Sequence, residues 1–508
     1  MEIISNLALG FGEILSIQTL TYCFVGVTVG MLIGVLPGIG SMAAISMLLP
    51  VTYYLEPTQA LIMLSGIYYG AQYGGSIASI LMNVPGTPSG AVICLDGYPM
   101  AQQGRAGPAI FITTIASFFG SCFAILSLAA FTPVIAQFAL DFGSAEYFAL
   151  MVFGLIAASA VAPGSQLKGL AMVVVGLIIG LVGTDVTSGT MRFTFGQINL
   201  GDGLSLVAIA MGVFGTAEVI ANLSRKGHNR VVTKSVSFRD LMPTRADMKR
   251  TILPMLRGAP IGTILGVLPG AGATIASFVA YGVETRVTND RDKFGKGAIE
   301  GITAPEAANN AAAQAGFIPT LALGIPGDAV MALMLGALLI HGVEPGPQLI
   351  SERPEMFWGL LASFWIGNLM LLIMNIPLIG IWVRILTIPY KYLYPGVLLL
   401  VSVGVYSVSN NAFDLLIVVV FSAIGYAMSV AKFSPAPMLL GIVLGPMMEE
   451  NFRRALLLSR GDLGVFFYRP ICIVLIAASV LLLFAPVLMR FLRKAAKPAP
   501  QSDSEVRS

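Results

Sequence analysis

Charged side chains are scarce in this 508-residue chain. Asp, Glu, Lys and Arg make up 11% of it, against about 25% in soluble domains. Histidine is almost missing, with only His228 and His341, and the four cysteines (Cys23, Cys94, Cys122, Cys472) lie scattered without CxxC spacing. No cluster of thiols and imidazoles is available for a structural metal, so the cysteines read as small packing residues. No GxxxxGK[ST] loop occurs, which excludes ATP hydrolysis by this subunit, and no HExxH pair occurs either. The net charge of +3 gives no reason to expect a nucleic-acid partner. No cofactor is implied.

What fills the chain is apolar: 56% hydrophobic residues and a mean hydropathy of +0.84. Runs of membrane-spanning length recur at 14–36, 61–82, 109–136, 145–162, 167–184, 203–223, 356–383, 412–431 and 471–489. With interrupted segments added, about 11–13 passes are expected. The expected fold is an all-α polytopic membrane protein whose first partner is the lipid bilayer. The opening segment MEIISNLALGFGEIL contains no Lys or Arg, unlike the basic start of a cleavable signal peptide.

The few charges indicate orientation. No Lys or Arg precedes Arg105, whereas 225–257 carries nine, from Arg225 to Arg257. The positive-inside rule places this stretch in the cytoplasm, with Arg105 and the basic run Arg490–Lys497 on the same side. Segment 341–355, with Glu344, Glu352 and Glu355, falls on the opposite face. Basic residues flank apolar stretches on both sides of 432–470, where counting passes does not give an orientation.

GVLPGIG at 34–40 returns as GVLPGAG at 266–272, and NVPGTP at 83–88 is matched by GIPGD at 324–328. Pro37 and Pro269 end helices, and the glycines after them permit a sharp change of direction. Lipid tolerates free peptide groups only where protein or a wet cavity satisfies them. Matched breaks in two halves of a chain therefore point to a transporter's binding site. From Arg257 to Pro269 is about 18 Å of helix and from Gly272 to Arg286 about 21 Å, each less than a bilayer core. A re-entrant hairpin fits these basic ends, and a Pro-kinked single span is the alternative. The first copy has no basic flank, which suits entry from the other side and hence two inverted repeats. The resulting division is 20–135 repeat one, 136–224 connecting helices, 225–256 a cytoplasmic basic loop, 257–380 repeat two, 381–490 C-terminal helices and 491–508 a disordered tail.

After the first break each repeat carries a polar stripe: Gln72, Ser76, Ser79 and Asn83 in one, Glu306, Asn310 and Gln314 in the other, with Asn309 beside them. Such residues are costly in lipid unless they face protein or a cavity. They read either as interhelical hydrogen bonds or as a substrate path. Thr87 and Asp328 match in position, each fit to cap a half-helix. Asp328 reads as a proton carrier, a cation ligand or a cap. Segments 20–104 and 258–284 contain no Lys or Arg. An anion there would be held by peptide N–H groups at Gly38–Ser41 and Gly270–Thr274. Gly74-Gly75-Ser76 and Pro326-Gly327-Asp328 are poor versions of intramembrane protease motifs without a partner base, so no enzyme is expected.

The segments GVLPGIG, YYGAQYGGSIASILMNVPGTP (68–88), APEAANNAAAQAGFIPTLALGIPGD (304–328) and HGVEPGP closely resemble the large membrane subunit of tripartite tricarboxylate transporters, the TctA type. The similarity covers roughly 15–490. It implies a bacterial inner-membrane secondary transporter that works with a small four-helix membrane subunit and a periplasmic solute-binding protein. It further implies import of a small di- or tricarboxylate with a coupling cation, Na⁺ or H⁺. Carried onto this chain, the substrate-binding set is Gly38, Gly40, Ser41, Asn83, Gly86, Thr87, Gly270, Gly272, Thr274, Asn309, Asn310 and Gly327. Asp328 and Glu306 are the expected coupling-ion residues. Competing readings are a passive anion channel, an intramembrane hydrolase and a purely structural subunit.

Overall fold

In lipid a backbone must satisfy its own hydrogen bonds, and this chain does so almost entirely with helices. The computed structural model describes residues 2–36, 40–161, 165–185, 188–223, 241–270, 272–288, 290–386 and 390–495. The expected roles of Pro37, Gly38, residues 225–240 of the basic loop and the tail beyond 495 lie outside the described residues.

The chain begins with α1 (Glu2–Ile14), α2 (Ile17–Val35), α3 (Gly40–Thr52) and α4 (Pro57–Met82), followed by α5 (Ile93–Gln102) and α6 (Ala106–Ala139). The connecting region holds α7 (Ser144–Val161), α8 (Gln166–Gly180), a two-stranded hairpin pairing Gly183–Thr184 with Met191–Arg192, α9 (Leu206–Ala210), a π-helical turn at Met211–Thr216 and α10 (Ala217–Leu223). The second repeat is α11 (Arg245–Val267), α12 (Gly272–Val287), α13 (Glu300–Ala315), α14 (Phe317–Leu323) and α15 (Ala329–Ile340). Then come α16 (Pro347–Glu352), α17 (Pro354–Asn375), α18 (Ile379–Ile385), α19 (Tyr390–Ser409), α20 (Ala412–Val430), α21 (Ala436–Leu458), α22 (Val465–Tyr468) and α23 (Pro470–Ala495). Among the described residues, four helices are long and apolar enough to cross a membrane alone: α2, α6, α17 and α20. Seven shorter apolar helices accompany them. The chain is an all-α polytopic membrane protein.

Small residues set the packing of both repeats. On α2, Gly26, Gly30 and Gly34 lie directly on the backbone of α4. A Cβ at these positions would fall 2.3 Å from the carbonyl oxygens of Met63, Ile67 and Ala71. On α11, Gly258, Gly262 and Gly266 meet the carbonyls of Ala304, Ala308 and Ala312 at 2.2–2.5 Å in the same sense. Helices that lack a hydrophobic drive toward each other in lipid associate through this kind of small-xxx-small approach. The correspondence continues to the second breaks. Asn83 and Gly324 both end a helix in the left-handed conformation, with φ of 55° and 69°. Gly86 lies against Gly34 and Gly75 as Gly327 lies against Gly266 and Gly316.

The two repeats run in opposite directions. Arg105 at the start of α6 pairs with Asp247 at the start of α11 at 2.8 Å. Further along, Ala116 packs with Met255, so α6 and α11 are parallel. Helix α17 runs against α6, because Asn375 donates to Thr114 Oγ1 (2.6 Å) and Asn368 to the Phe118 carbonyl (3.3 Å). Helix α2 runs with α17, through Cys23 to Ser363 and Thr28 to Met374. The first hairpin thus enters from the end opposite the second.

The limbs of the second hairpin are tied from the middle of α11 to the last turn of α12. Arg257 donates to Glu284 through Nε (3.0 Å) and Nη2 (2.6 Å), which brings both limbs to the same level. Helix α11 is longer than the spacing of basic residues suggests. It begins at Arg245, inside the segment expected to be loop, because Thr244 and Asp247 form a reciprocal capping box there. Its 23 residues span about 34 Å, so this limb, unlike α12, is long enough to reach across a bilayer core.

The structure also orients 432–470. Helices α8 and α21 run parallel, Gly176 on Met438 and Gly180 on Ile442. Asp185, just past α8, binds Arg453 at 3.0 Å, and Arg469 binds Glu146 at the start of α7. These residues share the face opposite Arg105, and α23 returns from it.

The glycine contacts are testable. Gly262→Ala should destabilise by about 1–3 kcal/mol through overpacking, whereas Gly282→Ala, with nothing within 4 Å, should be neutral or slightly stabilising. Thermal unfolding in detergent, followed by loss of monodisperse protein, distinguishes the two.

Candidate substrate cavity

The tips of both hairpins and both second breaks converge on one cavity of about 250 Å³. Ser41 and Met42 of α3 and Gly270, Gly272 and Thr274 at the start of α12 form opposite walls. Thr87 and Ser89 come from the first repeat's break and Asp328 and Val330 from the second's. Tyr68 and Gln72 project from α4, Ala158 closes one side from α7, and Ser434, Pro437 and Leu440 close another at the start of α21. Asp328 is the one charged residue among these linings, and no Lys, Arg or His contributes.

Local geometry follows from the breaks. Gly270, Gly272 and Gly40 have φ of 82°, 54° and 71°, values that only glycine adopts without strain. Gly270 fits so closely that a Cβ would lie 2.5 Å from the Cα of Ala158. As a result α3 and α12 both start at the cavity wall. Helix α15 starts there too, capped by Asp328, whose Oδ1 accepts from the Met331 N–H at 2.9 Å. Tyr68 donates its hydroxyl to Asp328 Oδ2 at 3.4 Å. In the first repeat Thr87 and Ser89 share a 3.0 Å hydrogen bond, and Ser89 donates to Gln72 Oε1 at 3.2 Å.

The residues singled out from sequence fall into three groups. Ser41, Thr87, Gly270, Gly272, Thr274 and Asp328 line the cavity. Gly40, Gly86 and Gly327 stand beside it as backbone contacts, with Gly86 wedged between Gly34 and Gly75. Asn83, Glu306, Asn309 and Asn310 do not line it. Asn83 is an exposed helix terminus in the left-handed conformation that stops α4. The N–H of Gly270 is not free for an anion either: it donates to the Gly327 carbonyl at 2.6 Å, joining hairpin tip to second break.

Glu306 and Asn310 form a separate buried centre. The Glu306 carboxylate accepts from Ser76 Oγ (2.8 Å), Ser117 Oγ (2.7 Å) and Asn310 Nδ2 (2.9 Å). Glu306 is 0% exposed, and no basic residue pairs with it among the described residues. Beside it Asn310 Oδ1 has no hydrogen-bond partner among the described residues. Ser76 lies one helical turn from Gln72, so this centre sits directly behind the cavity wall. The polar stripe of α4 therefore splits: Gln72 faces the cavity, Ser76 the carboxylate, and Ser79 bonds its own helix at Gly75.

Sequence reasoning missed Ser117, Tyr68 and the Ser434–Pro437 turn. Ser117 belongs to a recurrent small-residue face of α6 (Thr113, Ser117, Gly120, Ser121, Ala124), a signal visible at helical spacing. Ser434-Pro-Ala-Pro is a turn signal between two apolar runs.

Two inverted hairpin-and-broken-helix repeats closing on one cavity define a polytopic membrane protein of the kind that carries solutes. The comparisons give the family: the chain belongs to the tripartite tricarboxylate transporter TctA family, whose pattern matches residues 20–440. It is therefore a membrane component of the tripartite tricarboxylate transporter type, a transporter family rather than an enzyme family. It is 50% identical over 480 residues to the uncharacterized 52.8 kDa protein in the TAR-I ttuC' 3' region of Agrobacterium vitis, covering 94% of this chain and 95% of that protein. It is 52% identical over 210 residues to an uncharacterized protein in the TAR-II ttuC' 3' region of the same organism, covering 41% of this chain and 87% of that protein. No solved structure matches the chain.

The cap and the charge of Asp328 can be separated. Asp328→Asn preserves the N-cap, so abundance and thermal stability should stay near native, while Asp328→Ala should cost about 1 kcal/mol. Equal loss of stability in both variants would show that the charge, not the cap, holds α15.

Proposed function

We propose that this chain imports a small di- or tricarboxylate by alternating access, coupled to an inward cation gradient. A periplasmic solute-binding protein delivers the cargo, and a small four-helix membrane subunit completes the complex. On this reading the chain sits in a bacterial inner membrane with the Arg105 face, the long basic loop and the C-terminus in the cytoplasm. The observation that carries the proposal is the cavity's construction. The first turns of α3 and α12 border it, and helix N-termini present N–H groups and positive potential to an anion, while the α15 N-terminus is taken by its Asp328 cap. Hydroxyls of Ser41, Thr87, Ser89, Tyr68 and Thr274 and the amide of Gln72 supply further hydrogen bonds. An anion held by dipoles and hydroxyls leaves more easily than one clamped by arginine, as a carrier requires.

The coupling cation belongs at Glu306. A carboxylate without a basic partner in a dry interior is costly unless neutralised by a proton or a metal ion. The unpartnered Asn310 Oδ1 and the hydroxyls of Ser76 and Ser117 are hard oxygen donors suited to Na⁺. Asp328 is already engaged as a cap, which makes it the weaker candidate.

Uptake of succinate, malate and citrate into proteoliposomes, with the binding protein outside and imposed Na⁺ or H⁺ gradients, tests the reading. Accumulation above equilibrium that vanishes on collapse of one gradient is the expected result. Gradient-insensitive flux would instead make the protein a channel. Glu306→Gln should reduce gradient-driven accumulation at least about tenfold while counterflow of preloaded carboxylate persists. Retained gradient dependence in that variant would remove Glu306 from coupling.

A further inference from the structure

A second cavity, of about 370 Å³, opens on the face opposite Arg105. Its walls come from the start of α7, the Glu344–Gln348 turn and the far end of α21, with Ser144, Tyr147, Glu344, Gln348, Asn451 and Arg454 as its polar groups. Three arginines on this face are engaged, Arg453 by Asp185 and Glu449, Arg192 by Glu449, and Arg469 by Glu146, while Arg353 and Arg460 are not part of the cavity lining. Arg454 borders the cavity and forms no ion pair among the described residues, not even with Glu344 on the same rim. Among the described residues it is the cation of this lining, whereas the central cavity's lining holds no cation.

The two cavities share walls. On α7, Tyr147 and Met151 face the outer cavity and Ala158 the central one, at steps of four and seven. On α21, Met447, Asn451 and Arg454 face the outer cavity and Pro437 and Leu440 the central one, again at the spacing of one helix face. Between these two sets of α7 residues lies Gly154, three residues beyond Met151 and four before Ala158. A Cβ on Gly154 would lie 3.4 Å from Ile325 and 3.8 Å from Pro269, the second repeat's break and hairpin tip. Ile325 is itself bracketed by Leu323 in the outer wall and Asp328 in the central wall.

We infer that the outer cavity is an entry site for the anionic cargo, resting on the transport reading above. Arg454 holds a carboxylate there by a charge-assisted hydrogen bond until Ile325 and Pro269 part from Gly154 and admit it to the central cavity. The volume lies within the ordinary range for small-ligand pockets, about 300–1,000 Å³. Arginine is suited to carboxylate recognition by its planar, permanently charged donors.

The test is uptake by the complete transporter carrying Arg454→Cys, using whichever of succinate, malate and citrate the native protein moves best. Sub-saturating uptake should fall about tenfold, the loss of one charge-assisted contact, with the maximal rate largely retained. Trimethylammonium-ethyl methanethiosulfonate, which restores a positive charge at the cysteine, should recover uptake, and the sulfonatoethyl reagent should not. The native protein treated with both reagents is the control. Unchanged uptake at low cargo, or equal effects of the two reagents, overturns the entry site. Recovery on raising the binding-protein concentration, but not the cargo concentration, also overturns it, because Arg454 would then dock the protein rather than the anion. Ser41→Ala separates the two readings: loss of transport there with normal Arg454→Cys uptake sinks the entry site alone. If the native protein moves none of the three anions, the transport reading fails and takes this site with it.

Discussion

Everything in this architecture depends on backbones meeting without side chains between them. Gly26, Gly30 and Gly34 against α4, and Gly258, Gly262 and Gly266 against α13, leave room for no Cβ. Contact this close substitutes for the hydrophobic effect, which gives helices in lipid no reason to associate. It also carries each hairpin tip to the level of its own second break. Gly86 can then rest on Gly34, and the Gly270 N–H can reach the Gly327 carbonyl. The breaks are thus satisfied by one another, which allows unwound backbone to persist inside a membrane protein.

The same economy explains where charge is placed. The central cavity presents dipoles and hydroxyls, while the carboxylate of Glu306 is kept one helical turn behind its wall. In the proposed mechanism this spacing is the coupling device. Gln72 and Ser76 lie on one face of α4, so a cation that draws in Ser76 and Glu306 bears directly on the residue contacting the cargo. The donors come from both repeats and from α6, so such an ion would also fix how the repeats sit against each other.

Much of this was legible in the sequence because the determinants are local. Proline and glycine at 34–40, 83–88, 266–272 and 324–328 mark the breaks through backbone rules that need no tertiary context, and the contrast in basic flanks gave the inverted sense. What could not be read were the partners of polar residues. Asn83 and Asn310 look alike on a helical wheel, yet one is a left-handed terminus and the other a donor to Glu306. The start of α11 was also missed, because a basic run reads as loop until the Thr244–Asp247 box is recognised. The walls supplied by α7 and α21 were invisible for a different reason: Ala158 and Leu440 carry no chemical signal, and only the fold brings them to the cavity.

These silent walls matter to the repeat logic itself. Two inverted repeats with equal chemistry would present the cargo with the same groups from both sides. Here the matched positions differ: Thr87 faces the cavity in one half and Asp328 in the other, and α7 and α21 close the cavity without counterparts inside the repeats. The asymmetry places a carboxylate cap on the second break alone, three residues from Ile325, which lies against Gly154 between the two cavities' shared walls. On the proposed reading the repeats supply two related ways to open, and the added helices and the single Asp make the two openings chemically different. The coupled gradient then sets the direction of net transport, and this asymmetry sets which groups the cargo meets from each side.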